Sequence, residues 1–381
     1  MKFSRLTKYF SFVLVLIAAG CLDPYTPPDS VLQKEFLVVD GFVNTGSRSA
    51  EVKLSRAVPL SSENVHNPVT KATVQLESGD GLIIPLPETL PGVYYAGPIN
   101  VFNGKTYQLR IFTPGNEYVS DVVEMKKSPV LDSVTWRADD RGITIYVDSH
   151  DVTGSTKYYQ WNFSETWEYT AQEYSQFIWD KARFEMKRRT FEQDINLCYG
   201  SATSTRVLIS STTSNSQDVV SDFNLAFIPK GSPKVTRLYS ILVQQRAMDD
   251  DAYAFWKALQ RTTENVGGLF DALPSEITGN VTNVKNAGEK VLGYFTGGEV
   301  QEKRIYIYRD EVPEALRITP KITCNIDSIL IPTLADYDKT DLNVIRGWGA
   351  PATVGYLTTS AVCVDCRVQG GVLKKPSFWP R

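Results

Sequence analysis

Apolar and polar side chains alternate with a period of two over much of this chain, as strands buried on one face do. Ala72, Val74 and Leu76 alternate with Thr73, Gln75 and Glu77, and Tyr107, Leu109 and Ile111 with Gln108 and Arg110. Val52 and Leu54 stand among charged neighbours, and Phe36-Leu37-Val38-Val39 is a buried-strand run closed by Asp40-Gly41. Gly79-Asp80-Gly81, Pro91-Gly92 and Pro114-Gly115-Asn116 supply the turns between these runs. Short strands at this turn spacing predict a β-sandwich over residues 34–127, with a boundary at Lys126-Lys127-Ser128-Pro129.

A second β region is expected over 128–320. It opens with Leu131–Trp136, turns at Asp139-Asp140-Arg141-Gly142 and resumes with Ile143, Ile145 and Val147. Nine aromatics then fall in the 22 residues from Tyr158 to Trp179. Tyr159, Trp161, Phe163, Trp167 and Tyr169 share one parity, while Gln160, Asn162, Ser164, Thr166 and Glu168 share the other. Glu165 falls in the aromatic register, so either a bulge or turn shifts the phase or a carboxylate faces the aromatics. The first reading of this face is a sandwich core. The alternative is an aromatic platform for sugar or peptide stacking, formed by Trp161, Trp167 and Tyr169 with Glu165 as hydrogen-bond acceptor.

Residues 174–193 read as an inserted helix or a long hairpin with a basic face. Leu238–Val243 is apolar on both parities, as a central strand is. One helix is clear: Asp249-Asp250-Asp251 supplies a cap and acids that suit the helix dipole, and Ala252, Phe255, Trp256 and Leu259 form one stripe. Gly267-Gly268 is expected to end it. Val291–Phe295 and Arg304–Tyr308 look like paired strands joined at Gly297-Gly298. Residues 321–381 form a C-terminal extension packed on the second domain. The fold class is therefore mainly β: two immunoglobulin- or fibronectin-III-like sandwiches, the second elaborated with one or two helices and a disulfide-pinned tail.

The N-terminus departs from this pattern. Lys2, Arg5 and Lys8 precede the apolar run Phe10–Ala19, which is too short to span a bilayer. Ala18-Ala19-Gly20-Cys21 resembles the lipobox read by the lipoprotein signal peptidase. Residues 1–20 are thus expected to be an export signal and Cys21 the acylated residue, anchoring the protein in a bilayer. Pro24, Pro27 and Pro28 make 21–33 a semi-rigid tether.

Composition narrows the chemistry. The 381 residues carry 40 Lys+Arg, 43 Asp+Glu and 2 His, a net charge of −3. Removal of the export signal takes three bases and brings the charge to −6, which argues against a nucleic-acid partner. Two histidines leave little room for histidine catalysis or a histidine-rich metal site. Asp148-Ser149-His150-Asp151 holds the letters of a catalytic triad, but adjacent strand residues point apart. No G-x-S-x-G, H-E-x-x-H or phosphate-cradling glycine loop occurs, so neither an enzyme nor a cofactor is expected. Cys198, Cys324, Cys363 and Cys366 remain, and export makes them disulfide candidates with three possible connectivities. Cys363-Val364-Asp365-Cys366 also has the spacing of a redox dithiol or half a zinc site, without the following helix or second close pair that those need.

Several segments together carry a resemblance. Leu37-Val38-Val39-Asp40-Gly41-Phe42-Val43 follows the lipobox, and Lys71-Ala72-Thr73-Val74 leads to Gly92-Val93-Tyr94-Tyr95. Tyr239–Gln245, Gly279-Asn280-Val281 and Val291–Phe295 come later, and the tail reads Cys363-Val364-Asp365-Cys366-Arg367, Gly370-Gly371, Lys375-Pro376-Ser377-Phe378-Trp379. The chain resembles the Bacteroidota lipoproteins called domain of unknown function 4249. The resemblance implies a β-rich outer-membrane lipoprotein, periplasmic or surface-facing, encoded beside a TonB-dependent transporter and without an assigned reaction. It also makes Asp132-Ser133-Val134 and Asp327-Ser328-Ile329 similar to that phylum's O-glycosylation triplets. The expected function is a non-enzymatic accessory or ligand-capturing partner of a TonB-dependent transporter. The alternative is a glycan- or peptide-binding adhesion lipoprotein that acts without one.

Overall fold

The computed structural model describes residues 36–57, 67–180, 182–183, 185–264, 277–319, 321–336 and 343–380. The export signal, Cys21, the tether and Gly267-Gly268 lie outside the described residues.

Strands β1 (Leu37–Asn44), β2 (Ser49–Arg56), β3 (Thr73–Ser78), β4 (Ile83–Leu86), β5 (Glu88–Leu90), β6 (Val93–Ala96), β7 (Thr106–Thr113), β8 (Asn116–Ser120) and β9 (Val123–Glu124) come first. The second region supplies β10 (Leu131–Ala138), β11 (Gly142–His150), β12 (Tyr158–Thr170), β13 (Phe177–Asp180), β14 (Glu185–Arg188), β15 (Leu197–Thr203), β16 (Leu208–Ser211), β17 (Val219–Pro229) and β18 (Leu238–Met248). Helix α1 (Asp250–Glu264) follows, then β19 (Val281–Asn283), β20 (Val291–Gly298) and β21 (Gln301–Tyr308). Helix α2 (Glu314–Arg317), β22 (Asp327–Leu330), β23 (Asn343–Trp348), β24 (Gly355–Thr359) and helix α3 (Ala361–Val364) complete the order.

Two sandwiches result. In the first, the sheet β20-β1-β2-β6-β5 faces β19-β8-β7-β3-β4. The alternation places Leu37, Val39, Val52 and Leu54 against Val74, Leu76, Leu109 and Ile111 in one core. Each such side chain, when fully buried, contributes about 1.5–3 kcal/mol. In the second, β10-β11-β17 covers β15-β12-β18-β21, and β16 continues the edge beside the first half of β12. Ile143, Ile145 and Val147 meet Trp161, Tyr239 and Ile241 there.

The sequence-based reading needs two corrections. The first sandwich is not confined to 34–127, because β19 pairs with β8 and β20 pairs in parallel with β1. Nor do β20 and β21 pair with each other; β21 lies beside β18. Alternation marks which face of a strand is buried and is silent about its neighbour. Phe295 is fully buried in the first core, while Tyr294 on the opposite face packs against Phe255 of α1, ring centres 4.8 Å apart. Gly293 permits the docking. It has φ +92°, and a Cβ there would stand 1.9 Å from the Val39 carbonyl oxygen.

Helix α1 is capped as its sequence requires: the Asp249 carboxylate accepts from the Ala252 N–H at 2.7 Å. Ala252 and Phe255 are buried, and Tyr253 stacks on Tyr158 at 4.5 Å. The helix therefore touches β20 of the first sandwich and β12 of the second. Strands β13 and β14 pair antiparallel, which resolves the helix-or-hairpin alternative in favour of a hairpin. It leans on the small sheet β22-β24-β23 through Phe177 and Tyr356.

Cys198–Cys366 joins the C-terminal extension to β15, and Cys324–Cys363 closes a loop within the extension. Beyond them the chain crosses the outer face of the larger second sheet. Tyr199 and Val372 exchange backbone hydrogen bonds at 2.8 and 3.0 Å, and the Trp379 indole donates to Glu168 at 3.1 Å.

Candidate functional site

Strand β12 carries the densest chemistry. Its pairing with β15 and with β18 runs without a register shift, so no bulge rephases it at Glu165. The carboxylate therefore turns inward with the aromatics, and it is 6 % exposed. Glu165 Oε1 accepts from the Tyr239 hydroxyl at 2.6 Å, and Oε2 accepts from Lys234 Nζ at 2.6 Å. Lys234 Nζ also stands 5.0 Å from the centre of the Trp167 ring. Burial, with the adjacent carboxylate, holds the Tyr239 phenol well above its ordinary pKa.

Of the other members of the alternative platform, two are buried and one is half-buried. Trp161 is fully buried, stacks on Phe223 at 4.4 Å and donates its indole N–H to Gln245 at 2.9 Å. Tyr169 is buried and donates its hydroxyl to the Cys366 carbonyl at 2.9 Å. Trp167 is half-buried and lies across β15, where Gly200 makes room: a Cβ there would stand 2.4 Å from the indole. Trp161 thus packs in the core between the two sheets and Tyr169 against Cys198 and Cys366, which is the core reading of this face and not the platform alternative.

The triad letters diverge as expected. Ser149 is fully buried and its hydroxyl takes the Gln245 amide at 2.9 Å, whereas His150 projects outward to Asp132 at 2.7 Å. The hydrogen bond to Asp132, helped by that charge, raises the His150 pKa above its ordinary value. Asp148 instead accepts from the Ser133 hydroxyl. Ser133 is thus engaged and half-buried, while Ser328 stands exposed on β22.

Sequence reasoning missed a polar groove of about 550 Å³ between β16 and β17. Among the described residues both strands are sheet edges: β16 pairs only with β12, and β17 only with β11. Arg206, Ser210, Thr212, Asn215, Asp222 and Gln260 line it. Helix α1 closes one end, where Val207 N–H donates to Glu264 at 2.7 Å and Gln260 donates to the Val207 carbonyl at 2.6 Å. The serine- and threonine-rich stretch 201–216 was the available signal, since it forms one wall. Free strand edges and hydroxyls can bind an extended chain by hydrogen bonding. Among the described residues no cluster of three or more His, Cys, Asp or Glu side chains is arranged to hold a metal ion. No described helix is long and apolar enough to cross a membrane.

Similarity to solved structures is low. An adhesin, InvE, of Yersinia pseudotuberculosis aligns at 12 % identity over 56 % of this chain and 55 % of its own length, with a TM-score of 0.14. The chain thus spans about half of the adhesin. The chicken interferon gamma receptor alpha chain aligns at 13 % identity over 56 % of this chain and 89 % of its own, also with a TM-score of 0.14. No curated protein matches the sequence. The model of a family described as a domain of unknown function, DUF4249, matches residues 23–304, most of the chain, and the protein belongs to that family.

Proposed function

We propose that the protein is a lipid-anchored outer-membrane accessory of a TonB-dependent transporter that captures ligand without chemical turnover. The lipobox-like Ala18-Ala19-Gly20-Cys21 and the tether behind it motivate the address. The observation that carries the binding role is the groove between β16 and β17, where two unpaired strand edges offer main-chain donors and acceptors beside hydroxyl side chains. Such an opening suits recognition of an extended segment by strand addition. Purification of the tagged full-length chain in mild detergent tests the partnership. Co-purification of a transporter supports it, and recovery of the chain alone overturns it.

The free edges also favour a second reading, a peptide-binding surface lipoprotein that acts without a transporter. Peptide binding that persists after deletion of every candidate transporter, and is lost on substitution of groove residues, would select it over the first.

A further inference from the structure

A second cleft, of about 550 Å³, opens at the end of β12, between it and the segments carrying Arg309, Arg317 and Lys321. Arg309, Arg317 and Lys321 line it, and none of the described residues lining it is a carboxylate. The Arg317 Nε–H is shut away from solvent and has no hydrogen-bond partner, a costly state for a buried donor. Arg309 uses one donor, to the Thr236 carbonyl at 2.7 Å, and Thr170 and Thr319 add hydroxyls to the lining. Three basic side chains thus line one cleft whose described lining holds no carboxylate.

The disulfides fasten two of the lining segments. Cys198–Cys366 fastens the segment carrying Gln369, a lining residue, to β15. Cys324–Cys363 fastens the chain just beyond Lys321 to that same segment. The closely spaced Cys363 and Cys366 thus hold both sides of one opening.

We infer that this cleft binds a small phosphate-bearing molecule. Guanidinium groups present forked donors that match phosphate oxygens, and a lysine adds a point charge. A multiply charged anion balances three cations where a single carboxylate would not, and the volume is that of a small-molecule site. The inference is independent of any transporter partnership.

Calorimetric titration of the full-length chain in mild detergent tests it, with inorganic phosphate, inorganic pyrophosphate and soluble dihexanoyl phosphatidic acid as probes. Saturable binding of one equivalent is expected, weakened at least tenfold by Arg317→Gln and by Lys321→Gln and weakened by added salt. Arg206→Gln, in the β16–β17 groove, should leave it unchanged. Tightest binding of phosphatidic acid would assign a lipid headgroup as the source, and tightest binding of phosphate or pyrophosphate a soluble one. Absence of saturation with all three probes, or binding that survives both substitutions, overturns the inference. If Arg317→Gln does not fold, the exposed Lys321 decides alone.

Discussion

The Tyr239 hydroxyl donates to the Glu165 carboxylate at 2.6 Å inside the second sandwich, and both side chains are buried. Lys234, a quarter exposed, supplies the charge that lets the carboxylate stay there. Glu165→Gln keeps an acceptor for Tyr239 but not the charge, and should cost about 1 kcal/mol because Lys234 can turn to water. Glu165→Leu strands the tyrosine hydroxyl as well and should cost about 2–3 kcal/mol. Urea unfolding of the two variants distinguishes these outcomes. Equal stability of Glu165→Leu and the parent would show that the pair contributes nothing.

Buried phenols give the protein an alkaline limit. Tyr239 is held well above its ordinary pKa by burial, and Tyr118 is pushed up to about 12 by burial and by Glu289. A raised folded-state value favours the neutral phenol in the native state. That stability is fully present below the unfolded value of about 10 and is lost as pH rises through the folded values. Stability should therefore fall steeply above about pH 10, and Tyr239→Phe should make the fall shallower while lowering stability at neutral pH. Denaturant titrations across the alkaline range check both signs.

His150 responds in the ordinary range. Its hydrogen bond to Asp132 raises its pKa, so any stability it adds is present below about 6.5 and lost as pH rises through the folded value. An NMR titration should show the imidazole titrating above a free histidine and returning toward the ordinary value in Asp132→Asn. A titration unmoved by that substitution would contradict the pairing.

The two disulfides close loops of very different length, with sequence separations of 168 and 39 residues. Chain-entropy reasoning gives about 5 kcal/mol for Cys198–Cys366 and about 4 kcal/mol for Cys324–Cys363. Cys198→Ser with Cys366→Ser should thus lower the melting temperature more than Cys324→Ser with Cys363→Ser. The reverse order would mean that strain or residual unfolded structure outweighs loop entropy.

Gly293→Ala should loosen β20 from β1. The added Cβ meets the Val39 carbonyl oxygen, and the positive φ disfavours any side chain. A loss of about 3 kcal/mol is expected, with hydrogen-exchange protection falling first along β1 and β20. Uniform protection in the variant would place the docking energy elsewhere.

Much of this was legible in the chain itself. Val74 and Leu76 face inward as their alternation requires, Asp249 caps α1, and the doubly apolar β18 is central, between β12 and β21. The four cysteines were readable as disulfide candidates, although their pairing was not. Strand partners were hidden, because Val291 and Phe295 define a buried face without naming the strand beside it. The fate of the β12 aromatics was half visible: parity placed Trp161 and Glu165 on one face, but only the opposing sheet determines that this face is core. The β16–β17 groove comes mostly from one stretch, residues 206–224, whose serines and threonines did not say which strand edge they would line, whereas the basic cleft is assembled from segments far apart in sequence.

The parallel pairing of β20 with β1 also imposes an order of events on a chain that emerges N-terminus first. Strand β1 is synthesised early, yet its outer edge stays uncovered until residues 291–298 follow. Through that interval the first sandwich presents an open template, exposed to pairing with any extended chain nearby. Completion of the first domain thus waits for most of the second to be made, and a chain halted between β18 and β20 would be left with a sticky edge.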